Sequence, residues 1–183
     1  ARKAAEALFK AEVEKAKTSV DKVALAKRLL AQAVDQPGAA DRYALLLMSR
    51  DLAVAARDAE TAFQCVDQMA EAFEVDRFSM KTEILTGWAK DVRTPDARKW
   101  VVEQMLAVGD EALDAGSLDA AKELGALATS KLSGMRDKDV AQKMKVYRQR
   151  FIEAGKDMEE LQAAHAALAK DPKNSQANLV VGR

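Results

Sequence analysis

Histidine and cysteine are almost absent from these 183 residues, which hold one of each. A lone Cys excludes an intrachain disulfide framework and any multi-cysteine metal site, and leaves the redox compartment unreadable. Proline and glycine are scarce, at 3 and 8 residues, so helix breakers are few. No apolar run approaches the ~20 residues needed to span a bilayer, so no membrane insertion is expected. No signal-peptide pattern opens the chain. An excess of either charge is also lacking, with 29 basic residues against 29 acidic ones, which gives no bulk attraction to nucleic acid or to an anionic membrane. What is abundant is alanine, roughly a fifth of the chain, the composition of a nearly all-helical protein. The length suits one domain or one elongated array.

Start and stop signals divide the chain into helices. The first is expected over about Arg2–Lys17, with Leu8, Phe9 and Val13 on its apolar side. Thr18 with Asp21 three residues later resembles a capping box and opens a helix to about Val34, with Val20, Val23, Leu29 and Leu30 as its stripe. Asp35-Gln36-Pro37-Gly38 ends it. Further helices are expected over about Ala39–Arg57, Glu60–Phe73 and Arg77–Val92, each with apolar residues at helical spacing. Thr94-Pro95-Asp96 is the clearest start signal: a capping oxygen, a proline whose missing N–H costs nothing at the first position, and an acid at the positive helix end. That helix reaches about Asp114, and Gly116-Ser117 turns into Leu118–Leu132. Asp137 caps the last long stretch. Helices joined by short turns, without a strand-like run, make successive antiparallel hairpins, either a bundle or an α-solenoid.

Small residues recur where two helices must cross closely, in Met105-x2-Val108-Gly109-x2-Ala112-x3-Gly116-x-Leu118-x2-Ala121-x6-Ala128. This resembles the tetratricopeptide repeat (TPR), with Met105 in place of Trp, Val108 in place of Leu, Ala112 and Leu118 in place of aromatics, and Gly125 where Phe is usual. Leu46…Ala53…Asp58-Ala59-Glu60-Thr61-Ala62 resembles it too, with Arg57 where the turn glycine belongs. The tail, Ala167-Leu168-Ala169-Lys170-Asp171-Pro172 through Ala177 to Gly182, is similar to the junction between consecutive TPR units. These segments cover about half the chain, and their phases are irregular. The resemblance implies an irregular TPR-like α-solenoid. Similar Ala-rich stretches belong to large, uncharacterised bacterial multidomain proteins, which implies a scaffold segment. Helix-forming residues at Ala1–Ala5, and a helix opened at Ser175 and cut at Arg183, predict a segment of a longer protein, with any targeting signal outside it and its localisation unread.

Val140, Met144, Tyr147, Phe151, Ala154, Met158, Leu161, His165 and Leu168 alternate spacings of four and three, a heptad seam. Gly155 through Glu160 also fits a turn, with Asp157 and Glu160 as a capping box. The seam keeps its phase across Gly155, which a turn has no reason to preserve, so one helix is expected from Lys138 to Lys170, roughly 50 Å long. It serves either as packing for its own solenoid, the reading preferred, or as a coiled-coil seam for a partner. The expected organisation is a hairpin array over 1–135, the long helix over 136–171 packed on it, and the start of a truncated repeat over 172–183.

Residues with chemistry have plainer explanations. His165 lies among alanines, with Glu160 and Asp171 poorly placed beside it for a metal. Cys65 shares a face with Phe63 and Met69 and reads as a small buried hydrophobe; as a nucleophile it lacks a nearby base. Glu159-Glu160 and Glu71/Glu74 are the carboxylate pairs of any solvated helix. No glycine-rich phosphate loop or nucleophile elbow occurs. Arg136, Lys138, Lys143, Lys145, Arg148 and Arg150 form a short basic run, read as a solvated face balanced by neighbours and not as a phosphate-binding surface. Trp88 and Trp100 read as core packing beside the Thr94-Pro95 junction. No catalytic, cofactor-binding or metal-ligating residue is therefore expected. The expected function is a non-enzymatic scaffold binding a protein, a peptide or another domain of its own chain. The alternative is a helical accessory domain of an enzyme whose catalytic domain lies outside this segment. A nucleic-acid binder ranks third.

Overall fold

The computed structural model describes residues 2–182, and side chains from residue 7 onward. Among the described residues the chain is all-helical, with nine α-helices and no strand: α1 (Arg2–Lys15), α2 (Ser19–Val34), α3 (Ala39–Ala56), α4 (Ala59–Ala72), α5 (Arg77–Asp91), α6 (Pro95–Asp114), α7 (Leu118–Leu132), α8 (Lys138–Lys170) and α9 (Ser175–Val181). It divides into two compact units, Ala1–Trp88 and Ala89–Arg183.

The helix starts follow local chemistry. The Thr18 hydroxyl accepts from the Asp21 N–H, and the Asp21 carboxylate accepts from the Thr18 N–H, so each supplies a partner that the first turn cannot supply for itself. The Thr94 hydroxyl accepts from Ala97 N–H ahead of Pro95. Asp137 accepts from the N–H groups of Asp139 and Val140 to open α8, and Asn174 accepts from Ala177 to open α9.

In the first unit α2 packs along α3, and α4 packs on α3. Leu25, Ala26, Leu29, Leu30 and Ala33 form the buried face of α2, against Leu46 and Ala53 of α3 and Ala62, Val66 and Met69 of α4. Tyr43 and Phe73 meet edge to face, with ring centroids 5.0 Å apart. Val20, expected in the α2 stripe, is instead 77% exposed. At ~100° per residue it lies across the helix from Leu29. Leu8 and Val13 are exposed as well, because α1 lies only lightly on α2 and α3. The helix ends at Lys15, short of the expected Lys17.

In the second unit α6 packs along α7, and α8 packs on both. Val101, Val102 and Met105 of α6, Leu124 and Ala128 of α7, and Val140 and Met144 of α8 are buried together with Tyr147. Tyr147 leaves α8 and enters between the other two helices. A β-carbon on Gly109 of α6 would lie 2.6 Å from its hydroxyl oxygen, and one on Gly125 of α7 would lie 2.8 Å from its ring. Both glycines are therefore the space the ring occupies. Gly109, expected at the crossing of α6 and α7, is opened for α8. Ala112 and Ala121, placed at the same crossing, are fully buried.

The two units share a turn. Arg57 ends α3 at φ 59° and Gly116 follows α6 at φ 71°, both in the left-handed region. In each, the next residue's N–H reaches back five positions, from Asp58 to the Ala53 carbonyl and from Ser117 to the Ala112 carbonyl. This is the Schellman closure, which satisfies carbonyls the helix end leaves open.

Helix α8 runs its 33 residues without a break. A β-carbon on Gly155 would touch nothing within 4 Å. The heptad residues from Val140 to Leu161 are all buried or half-buried, but His165, expected next in the seam, is exposed and Ala164 is buried instead. The packing partner has changed there: the end of α8 lies against α9, and the buried face rotates to meet it.

Candidate functional site

Cys65 of α4 is fully buried. Its thiol donates to the Ser49 hydroxyl of α3 at 3.1 Å, and that hydroxyl donates to the Ala26 carbonyl of α2 at 2.7 Å. Burial pushes the thiol pKa up to about 11, with the Ser49 hydrogen bond opposing it, so it stays protonated near neutral pH and is a poor nucleophile. His165 stands exposed on α8, and Glu159, Glu160, Glu71 and Glu74 are exposed. Among the described residues no cluster of three His, Cys, Asp or Glu is arranged to hold a metal ion. No helix there is long and apolar enough to cross a membrane.

Trp88 packs near Phe63 and donates its indole N–H to the Val54 carbonyl at 3.0 Å; Trp100 is half-buried on α6. Lys81, which the sequence did not single out, is only 2% exposed. Its ammonium lies 2.7 and 3.0 Å from the Asp67 carboxylate oxygens and 5.6 Å from the centre of the Phe63 ring. A buried charge needs such partners. Its signal in sequence is slight, a lysine between Phe78 and Leu85 on the inner side of α5.

Two cations of the basic run, Lys143 and Arg150, are paired with acids of α6, and the others are exposed. Lys143 pairs with Glu103 at 2.6 Å, and Arg150 pairs with Asp110 and Asp114 at 2.5 and 2.6 Å, all three acids on α6. Burial raises the Asp110 pKa, against the pull of Arg150. Lys99 meets Asp137 at 2.8 Å, and with the N–H groups of the α8 start it holds that carboxylate below its usual range.

A groove between α7 and α8 of the second unit has the geometry of a binding site. Its volume is about 550 Å³, within the range of binding clefts. Ala121, Gly125 and Ala126 form one wall; Met144, Tyr147, Phe151 and Ile152 form the other. The small residues on α7 let α8 approach and leave a trough above the contact. Tyr147 anchors its floor by donating to the Ala121 carbonyl at 2.5 Å. Burial pushes its pKa up to about 12, reinforced by the charge of Asp110 and opposed by Arg150. Ile152 is 52% exposed at the edge. Thr129, Ser130, Lys122 and Arg148 complete the lining, and most of the surface it offers is apolar.

Sequence reasoning marked the small residues of α7 and the seam of α8 separately. It missed their meeting, because nothing local to either helix states which faces which. Compared with known proteins, the chain matches no family model, no curated protein and no solved structure.

Proposed function

We propose that the chain is a non-enzymatic scaffold segment of a larger protein, an irregular TPR-like α-solenoid of helix hairpins that holds a protein or peptide, or another domain of its own chain. The observation that carries this reading is the α7–α8 groove: an open, mostly apolar trough whose lining has no catalytic pairing. Such troughs take the apolar face of a helix or peptide, with affinity from buried area and specificity from the rim. Support for the repeat-like part comes from the shared left-handed turn at Arg57 and Gly116, each followed by a buried alanine five residues on, Ala62 and Ala121. Two hairpins built on one local plan are what an array of repeats requires.

The test is a displayed library of amphipathic helical peptides selected on the full chain and counter-selected on the Ala126→Glu/Ile152→Glu variant. Both positions are exposed at the groove, so the variant keeps its core. Enrichment of peptides that bind the unmodified chain and not the variant is expected. A library that yields no peptide sensitive to those two changes would remove the groove from the account.

A further inference from the structure

The rim of the α7–α8 groove carries one sign of charge. Among its lining residues the charged ones are Lys122 on α7 and Arg148 on α8, and no carboxylate lines it. The other flank of α8 is different, since Lys143 and Arg150 are neutralised by the acids of α6. Arg148 meets a neutral acceptor, the Thr129 hydroxyl, at 3.2 Å. Neither Arg148 nor Lys122 reaches a carboxylate among the described residues. Two exposed cations therefore flank a trough in which Phe151 and Ile152 remain partly uncovered. The trough runs from Ala121 to Ser130 along α7 and from Met144 to Ile152 along α8, about 13 Å at 1.5 Å per residue. That accommodates about two turns of a docked helix, which present apolar side chains at i, i+3 or i+4, and i+7.

We propose that the groove takes an acidic amphipathic helix of a partner protein, with an apolar stripe that fills the trough and flanking carboxylates that meet Lys122 and Arg148. This rests on the scaffold reading and adds the chemistry of the partner. The cations contribute little to affinity while they remain solvated. They set the sign of the partner, because a basic helix on the same stripe places like charges together.

The test uses the full chain and three fluorescein-labelled synthetic helices of about 16 residues. All share one leucine stripe, flanked by Glu, Gln or Lys. The Glu peptide is expected to bind tightest and the Lys peptide weakest, on the order of 10-fold apart at low salt, with the gap closing as salt is added. Lys122→Glu/Arg148→Glu should invert the ranking, and Lys122→Arg/Arg148→Lys should keep it; circular dichroism checks that each variant stays folded. If the Glu and Lys peptides bind alike, or the inverted charges leave the ranking unchanged, while Ile152→Glu weakens every peptide, the acidic partner is wrong and the groove stands. If no peptide binds, both readings fall. Sedimentation that shows a dimer abolished by Ile152→Glu would make the occupant a second copy of the chain, and would overturn the acidic helix.

Discussion

The helix pairs α3–α4 and α6–α7 are the same device set in different company. Counted from the left-handed residue, Arg57 or Gly116, a buried alanine stands four positions before (Ala53, Ala112) and five after (Ala62, Ala121). The correspondence fails one turn further out. Arg50 and Val66 of the first pair occupy the places that Gly109 and Gly125 hold in the second. The first pair is served by α2, which buries its leucines against α3. The second pair is served by α8, which sends the Tyr147 ring between the two glycines. The close contact inside each pair is thus set by alanines, and the identity of the third helix is set by what stands one turn away. A side chain at Gly125 excludes an aromatic knob, and an empty position admits one.

Overpacking the shared contact gives the largest expected effect. Ala62→Leu and Ala121→Leu should each destabilise by about 3 kcal/mol, the upper part of the range for forcing bulk into a filled core. Denaturant midpoints measure both. A loss at only one of the two positions would break the equivalence of the pairs.

The second change makes one pair like the other. Gly125→Val installs the residue of the first pair and should cost about 2 kcal/mol by displacing Tyr147. Most of that loss should vanish in the Gly125→Val/Tyr147→Leu background, since the two residues share one space. A double-mutant cycle reports the coupling, and additive losses would separate Gly125 from Tyr147.

Tyr147→Phe removes the hydrogen bond to the Ala121 carbonyl and should cost about 1 kcal/mol. It also carries a pH signature. The folded-state pKa of about 12 lies above the ordinary value near 10 for tyrosine. The unfolded chain therefore loses this proton first, and the contribution of Tyr147 is complete below pH ~10 and lost as pH rises toward ~12. Tyr147→Phe should flatten that part of the stability profile. An unchanged profile would show that the ring is not held as described.

The turn residues give a smaller pair of opposite effects. Gly116→Ala should destabilise by about 1 kcal/mol, because alanine is strained at positive φ. Arg57→Gly should stabilise by up to about 1 kcal/mol for the same reason read backwards. Melting temperatures moving in the same direction would mean the turns are not alike. Smallest of all, Gly155→Ala in the interior of α8 should raise stability by about 0.5 kcal/mol, since its added carbon meets nothing. A fall in melting temperature would mean that α8 does not pass straight through that residue.

Much of this molecule was decided locally and can be read from the chain. Thr18 with Asp21, Thr94 before Pro95, and Asp137 each mark a helix start because the capping oxygen and the amide it satisfies lie within three residues. The phase of the α8 seam across Gly155 carries the helix through a residue that by itself suggests a turn. Alanines at Ala53, Ala62, Ala112 and Ala121 announce close crossings, because a helix interior admits small residues where another helix must approach. What each face packs against was decided only in three dimensions. The burial of Ala164 in place of His165 depends on α9 arriving at that end. The exposure of Val20 depends on α3 covering the opposite face of α2, the one that carries Leu29. The groove exists because Tyr147 fills the gap above Gly109 and Gly125 while Phe151 and Ile152, one turn further along α8, find no helix to cover them. Caps and periodicity act over a few residues of one chain segment, whereas a knob finds its hole across 22 or more positions of sequence, and only packing brings the two together.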